Sequence, residues 1–172
     1  MSQPIADLAA LLDQAGVAYA IIGAHAVNVW LEPRFTADID VTVQTDSADL
    51  ERLKALLATR GFVVAGEHGA DLPSGPDFIR FTSTEDTVVL ELQNAKTDFQ
   101  REVVRRAVTA GSVRVATPED LIVMKLIADR AKDQIDLAGL VTLPGLDWGY
   151  VERWAAEWDV DDRLDRVRQH PS

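Results

Sequence analysis

The chain has 172 residues, 47% hydrophobic and 26% charged, with 17 basic and 28 acidic side chains for a net charge of −11; this suits one globular domain with a sizeable core. The absence of cysteine excludes zinc–thiolate sites, disulfides and thiol catalysis. No apolar run reaches the roughly 18 residues of a bilayer span, and MSQPIADLAALLDQAG carries Asp7 and Asp13 where a signal peptide would be basic. A soluble cytoplasmic protein with no membrane role is expected, and the acidity argues against a broad grip on an extended nucleic-acid backbone.

In chain order, residues 4–15 place Ile5, Leu8, Leu11 and Leu12 on one helical face, and Gly16 stops the helix. VAYAII (17–22) reads as a buried strand running into Gly23, where a short helix opens and continues to about Leu31. DIDVTV (38–43) alternates acidic and aliphatic residues, as a strand with one polar face does. A helix over 47–60 follows, with Leu50, Leu53, Leu56 and Leu57 inward, then a strand at 62–66 and a Gly/Pro/Asp-rich loop over 66–76. FIRFT (78–82) and TVVLELQ (87–93) form a predicted hairpin around the short loop STED. Residues 98–109 read as an amphipathic helix and 112–116 as a strand. Thr117-Pro118-Glu119-Asp120 then carries an N-cap, a first-turn proline and helix-starting acids. From there the chain reads as helical, broken near Leu143-Pro144-Gly145. The expected fold is α+β: one domain over 1–172, with an α/β core in 1–116 and a helical part in 117–172.

The charge is uneven. Residues 1–90 hold five basic and thirteen acidic side chains, whereas 96–132 holds eight basic against five acidic. That stretch is the segment to meet an anionic ligand, or else a pair of solvated helix faces; the second reading is preferred for Arg101, Arg105 and Arg106.

Asp38 and Asp40, two apart on a strand, project from one face, with Ile39 and Val41 on the other. Two adjacent carboxylates repel unless a cation lies between them, and oxygen-only ligands point to Mg²⁺ or Mn²⁺. An ordinary exposed edge strand is the alternative. The glycine turn at Gly23 lets backbone N–H groups approach a phosphate at a helix N-terminus. Lys125 sits among Leu121, Ile122, Met124 and Leu126, where a lysine snorkels or meets an anion.

The order strand, Gly23-Ala24-His25-Ala26, short helix, then Pro33-Arg34-Phe35-Thr36-Ala37-Asp38-Ile39-Asp40 resembles the nucleotidyltransferase superfamily related to DNA polymerase β. Within it, the pattern is similar to the branch of AbiEii-type toxin nucleotidyltransferases and their stand-alone relatives. The later run Lys125-x4-Arg130-x-Lys132-Asp133-x-x-Asp136 is similar to that family's C-terminal motif, and the likeness spans residues 16–140. The resemblance implies a mixed sheet with flanking helices. It also implies a third carboxylate on a later strand, for which Glu91 in Val88-Val89-Leu90-Glu91-Leu92 stands where Asp is usual. Asp38, Asp40 and Glu91 become the implied Mg²⁺ or Mn²⁺ ligands and, with Lys125, the implied catalytic set. Gly23, Ala24, Arg34, Thr36, Lys125 and Arg130 become the implied contacts of an NTP, while Lys132, Asp133 and Asp136 fit a supporting ion-pair network. Ala24 departs from the Ser or Gly of the family turn and offers no hydroxyl to a phosphate.

The implied activity is transfer of an NMP from an NTP to an acceptor (tRNA, a protein or a small molecule), in a toxin–antitoxin or defence setting. Two alternatives stand beside it: a small-molecule antibiotic nucleotidyltransferase, and a degenerate module that binds a nucleotide or a protein partner. Trp154 and Trp158, four apart, are core residues or a partner-docking ridge.

Overall fold

The computed structural model describes residues 3–72, 75–84 and 88–169. The chain divides into two compact units, Met1–His25 with Arg34–Ala116, and Ala26–Pro33 with Thr117–Ser172.

The first unit is built on a seven-stranded mixed sheet. Its elements are α1 (Gln3–Ala15), β1 (Ala18–Ile21), the start of α2 (Gly23–Trp30), β2 (Asp38–Gln44), α3 (Ser47–Ala58), β3 (Phe62–His68), β4 (Phe78–Ser83), β5 (Val89–Asn94), α4 (Asp98–Arg106), β6 (Val108–Ala110) and β7 (Val113–Val115). The strand order is β3-β4-β5-β2-β1-β7-β6. The β2–β5 and β1–β7 pairs are parallel and the others antiparallel. This is the α+β arrangement with a mixed sheet that the sequence predicts.

Period-2 alternation decides which sheet face is dry. Ile39, Val41 and Val43 of β2, Leu90 and Leu92 of β5, and Ile79 and Phe81 of β4 share one face and are buried. Each such side chain contributes about 1.5–3 kcal/mol by leaving water. The inward leucines of α1 (Leu8, Leu11, Leu12) and α3 (Leu50, Leu53, Leu57) are buried as their helical spacing requires. Lys54 of α3 reaches Glu67 of β3 at 2.6 Å, and Glu67 pairs with Ile79, so this contact falls on the apolar side of the sheet.

The second unit comprises the remainder of α2 with α5 (Pro118–Ala128), α6 (Ala131–Leu140), α7 (Trp148–Glu157) and α8 (Asp161–Gln169). Helix α5 packs on α6 and α7, and α8 packs on both of these. Thr117 caps α5 through a reciprocal bond pattern with Asp120, as its sequence predicts. Among the described residues no helix is long and apolar enough to cross a membrane.

Three expectations are corrected. The helix predicted over 98–109 ends at Arg106, because β-branched Val108 and Thr109 pair with β7 (Val108↔Val115, Thr109↔Arg114). The strand predicted over 62–66 runs to His68, since β4 supplies a partner as far as His68↔Phe78. The helical tail has breaks beyond the one at 143–145: Asp129 and Asp159 adopt left-handed backbone, with φ of 48° and 55°, and end α5 and α7. The predicted hairpin is present as the antiparallel β4–β5 pair; Glu85, Asp86 and Thr87 of its connection lie outside the described residues.

Candidate active site

The sheet face opposite Ile39, Val41, Leu90 and Leu92 carries the acids. Asp38 is exposed and Asp40 half-buried, alternating with the buried Ile39 and Val41. The parallel β2–β5 register sets Asp40 opposite Glu91 and Asp38 opposite Val89, so all three carboxylates rise from one face. The antiparallel β4–β5 register then sets Arg80 opposite Glu91. Asp40, Glu91 and Arg80 thus form one cross-strand row, and the Arg80 guanidinium lies 3.6 Å from the Glu91 carboxylate.

Gly23 is required twice. Its φ of +62° lies in the left-handed region that side-chain-bearing residues avoid. A Cβ there would stand 2.1 Å from Asp40 Oδ2 and 2.9 Å from Asp40 Cβ, so the glycine clears the space the carboxylate fills. The backbone closes the same corner: the Ile22 N–H donates to the Asp40 carbonyl at 2.9 Å. The sequence reads Gly23 as an approach point for phosphate, and the structure adds that it makes room for Asp40.

Ala24 follows Gly23 in the first turn of α2. Arg34 is exposed in the segment before β2; Thr36 is half-buried there, its hydroxyl 3.5 Å from the Asp38 carbonyl. His25 is half-buried; burial pushes its imidazole below the ordinary value, against the opposing pull of Asp38.

The oxygen-only donor set of Asp38 and Asp40 fits a hard divalent cation such as Mg²⁺, and Gly23 leaves the room that the Asp40 carboxylate occupies. A ready-made three-carboxylate site is not formed: among the described residues no group of three or more His, Cys, Asp or Glu side chains is arranged to hold a metal. Glu91, one methylene longer than Asp, reaches sideways to Arg80.

Lys125 and Arg130, assigned to nucleotide phosphates from the sequence, are found in a different setting. The Lys125 ammonium is 8% exposed and donates to Asp133 at 3.1 Å and to Asp136 at 2.6 Å. Arg130 donates to Asp133 at 2.7 Å. Burial pushes Asp133 up, but the bonds from Arg130 and Lys125 outweigh it and hold the carboxyl below its ordinary range. The sequence foresees an ion-pair network with Lys132, Asp133 and Asp136; the structure centres it on Lys125 and leaves Lys132 exposed.

Much of the basic stretch is likewise engaged internally. Lys96 pairs with Asp77, Arg101 with Asp98 and Arg105 with Glu102, while Arg114 donates to the carbonyls of Val104 and Ala107. Trp154 is buried against Tyr150, edge to face at 6.3 Å, and Trp158 is partly exposed, so the two form no continuous exposed ridge. Arg80 is the site residue the sequence reading passes over. Its signal is a lone charge in the apolar run FIRFT, at the position that alternates with Ile79 and Phe81.

A model of the family described as nucleotidyltransferases of unknown function (DUF6036) matches residues 3–168. The chain belongs to this nucleotidyltransferase family. Solved structures agree in fold. An antigenic nucleotidyltransferase-like protein from Paracoccidioides brasiliensis is 20% identical over 94% of this chain and 88% of its own, with a TM-score of 0.57. The lincosamide antibiotic adenylyltransferase LnuA, solved with lincomycin bound, is 14% identical over 83% and 97%, with a TM-score of 0.58. ANT(2")-Ia, solved in complex with adenylyl-2"-tobramycin, is 19% identical over 96% and 93%, with a TM-score of 0.54. Among curated proteins none matches the sequence.

Proposed function

We propose that the protein transfers a nucleoside monophosphate from an NTP to a hydroxyl-bearing acceptor, with Mg²⁺ or Mn²⁺ held by Asp38 and Asp40. The observation that carries this reading is the paired carboxylates on the open sheet face, in register with Glu91 and cleared by Gly23. A divalent cation bound there would neutralise phosphate charge and lower the pKa of the attacking hydroxyl.

The rest falls to the chain. The N-terminus of α2 at Gly23 and Ala24 directs backbone N–H groups toward the triphosphate, without the side-chain hydroxyl that Ser would add. Arg34 and Thr36, on the segment that leads into Asp38, are placed to contact phosphate oxygens. The acceptor oxygen forms a bond to the α-phosphorus as the bond to the bridging oxygen of pyrophosphate breaks, and Glu91 takes the hydroxyl proton or joins the cation's ligands. Lys125 and Arg130, tied to Asp133, support the helical unit rather than the phosphates in this reading.

A small molecule or a protein is the favoured acceptor. The net charge of −11 and the internally paired basic stretch favour either over tRNA, and the antibiotic enzymes among the structural neighbours favour a small molecule. The toxin–antitoxin or defence setting belongs to the tRNA and protein branches of this proposal. A second reading, a module that binds nucleotide without transferring it, is favoured by Ala24 and by the Glu91–Arg80 pair. Incubation with each α-labelled NTP, Mg²⁺, and tRNA, protein or small-molecule fractions separates these. Label on one fraction, lost in Asp38→Asn/Asp40→Asn, is expected; nucleotide binding with label on nothing overturns transfer in favour of the module.

A further inference from the structure

The row Asp40–Glu91–Arg80 places a fixed positive charge beside the third carboxylate, on the side away from the Asp pair. Two cations therefore compete for Glu91: a guanidinium that is always present and a metal ion that arrives. Neighbouring strands lie about 4.8 Å apart, and the extra methylene of Glu91 lets its carboxylate lean toward either neighbour. The pair is held by contact alone, with the guanidinium 3.6 Å from the carboxylate, so a competing anion can draw Arg80 off Glu91.

We infer that Arg80 is a positioning residue that holds Glu91 away from Asp38 and Asp40, so that the site gains its third carboxylate only when a divalent cation enters together with nucleotide phosphates. This rests on the proposed function for the identity of the metal pair, and it adds an order of assembly. With Arg80 in place, a free divalent cation meets two carboxylates and a nearby guanidinium, a weak site. Phosphate oxygens carried in by the nucleotide offer the guanidinium another anion and the cation further ligands, and Glu91 is then released to the Asp pair. Affinity in oxygen-donor sites follows the number of charged ligands, so the effect is visible without turnover.

The test is binding of Mn²⁺ alone, followed by the electron paramagnetic resonance signal of the free ion, to the full chain without nucleotide. Arg80→Gln is expected to bind Mn²⁺ at least about tenfold more tightly than the wild type. Arg80→Lys, which keeps the charge, should stay within about threefold of it. Arg80→Gln/Glu91→Gln should lose the gain entirely. Arg80 is 55% exposed, so these changes leave the core untouched, and circular dichroism checks the fold. Unchanged Mn²⁺ affinity in Arg80→Gln, or an equal gain in the double variant, overturns the inference. The comparison omits nucleotide, so it is decided separately from the transfer reading, which fails instead if no NTP binds the wild type.

Discussion

Asp133 and Asp136 in the helical unit, and Asp38 and Asp40 on the sheet, are both pairs of acids a few residues apart, yet the fold treats them oppositely. The helical pair is 1% and 4% exposed, and its cation is supplied from within by Lys125, with Arg130 added on Asp133. The sheet pair lies at the start of β2, with Asp38 exposed and Asp40 half-buried, and the Arg80 guanidinium in its cross-strand row is directed to Glu91. A carboxylate cluster that is buried and closed by its own lysine serves structure. The pair beside the glycine turn is the one to which the proposed function assigns a cation and an anionic ligand brought from outside.

The contrast breaks most severely at Lys125. Lys125→Met removes one side of a buried network and leaves two carboxylates without their ammonium, a change that costs about 3–5 kcal/mol. Chemical denaturation followed by helical circular dichroism should show that loss. Asp38→Asn/Asp40→Asn should do the reverse, cutting transfer about a thousandfold, or about 4 kcal/mol of barrier, while the melting temperature holds or rises because carboxylate repulsion is relieved. Gly23→Ala lies between the two. Left-handed backbone and the clash with Asp40 should cost about 1–3 kcal/mol in thermal stability and weaken nucleotide binding as well.

Acid titration gives the smallest and most selective effect. The folded-state pKa of Asp133 is lowered, so its contribution is fully present above the ordinary carboxylate pKa of about 4. It is lost as the pH falls through the lower folded value. Stability should therefore fall with acidification below about pH 4, and Asp133→Asn should flatten that dependence from a lower starting stability.

Much of this was legible from residue order. Alternation in DIDV and VVLEL announces two strands with one polar face each, whereas their parallel pairing and register come from the fold. Thr117-Pro118 announces its helix, and the cap is present. What was not legible depends on partners distant in sequence. Arg80 becomes a site residue only when β4 pairs with β5, a register that residues 78–82 do not state by themselves. Lys125 looks like a phosphate ligand until α6 returns Asp133 and Asp136 to it across a tight turn at Asp129. Val108 and Thr109 extend a helical pattern until β7 offers them an edge.

Whether Asp38 and Asp40 hold a metal–nucleotide complex is decided by isothermal titration of a non-hydrolysable NTP with Mg²⁺ into the full chain. Saturable binding that requires Mg²⁺ and disappears in Asp38→Asn/Asp40→Asn is the predicted result. No binding by the wild type with any of the four bases, or equal binding by the double variant, would contradict it.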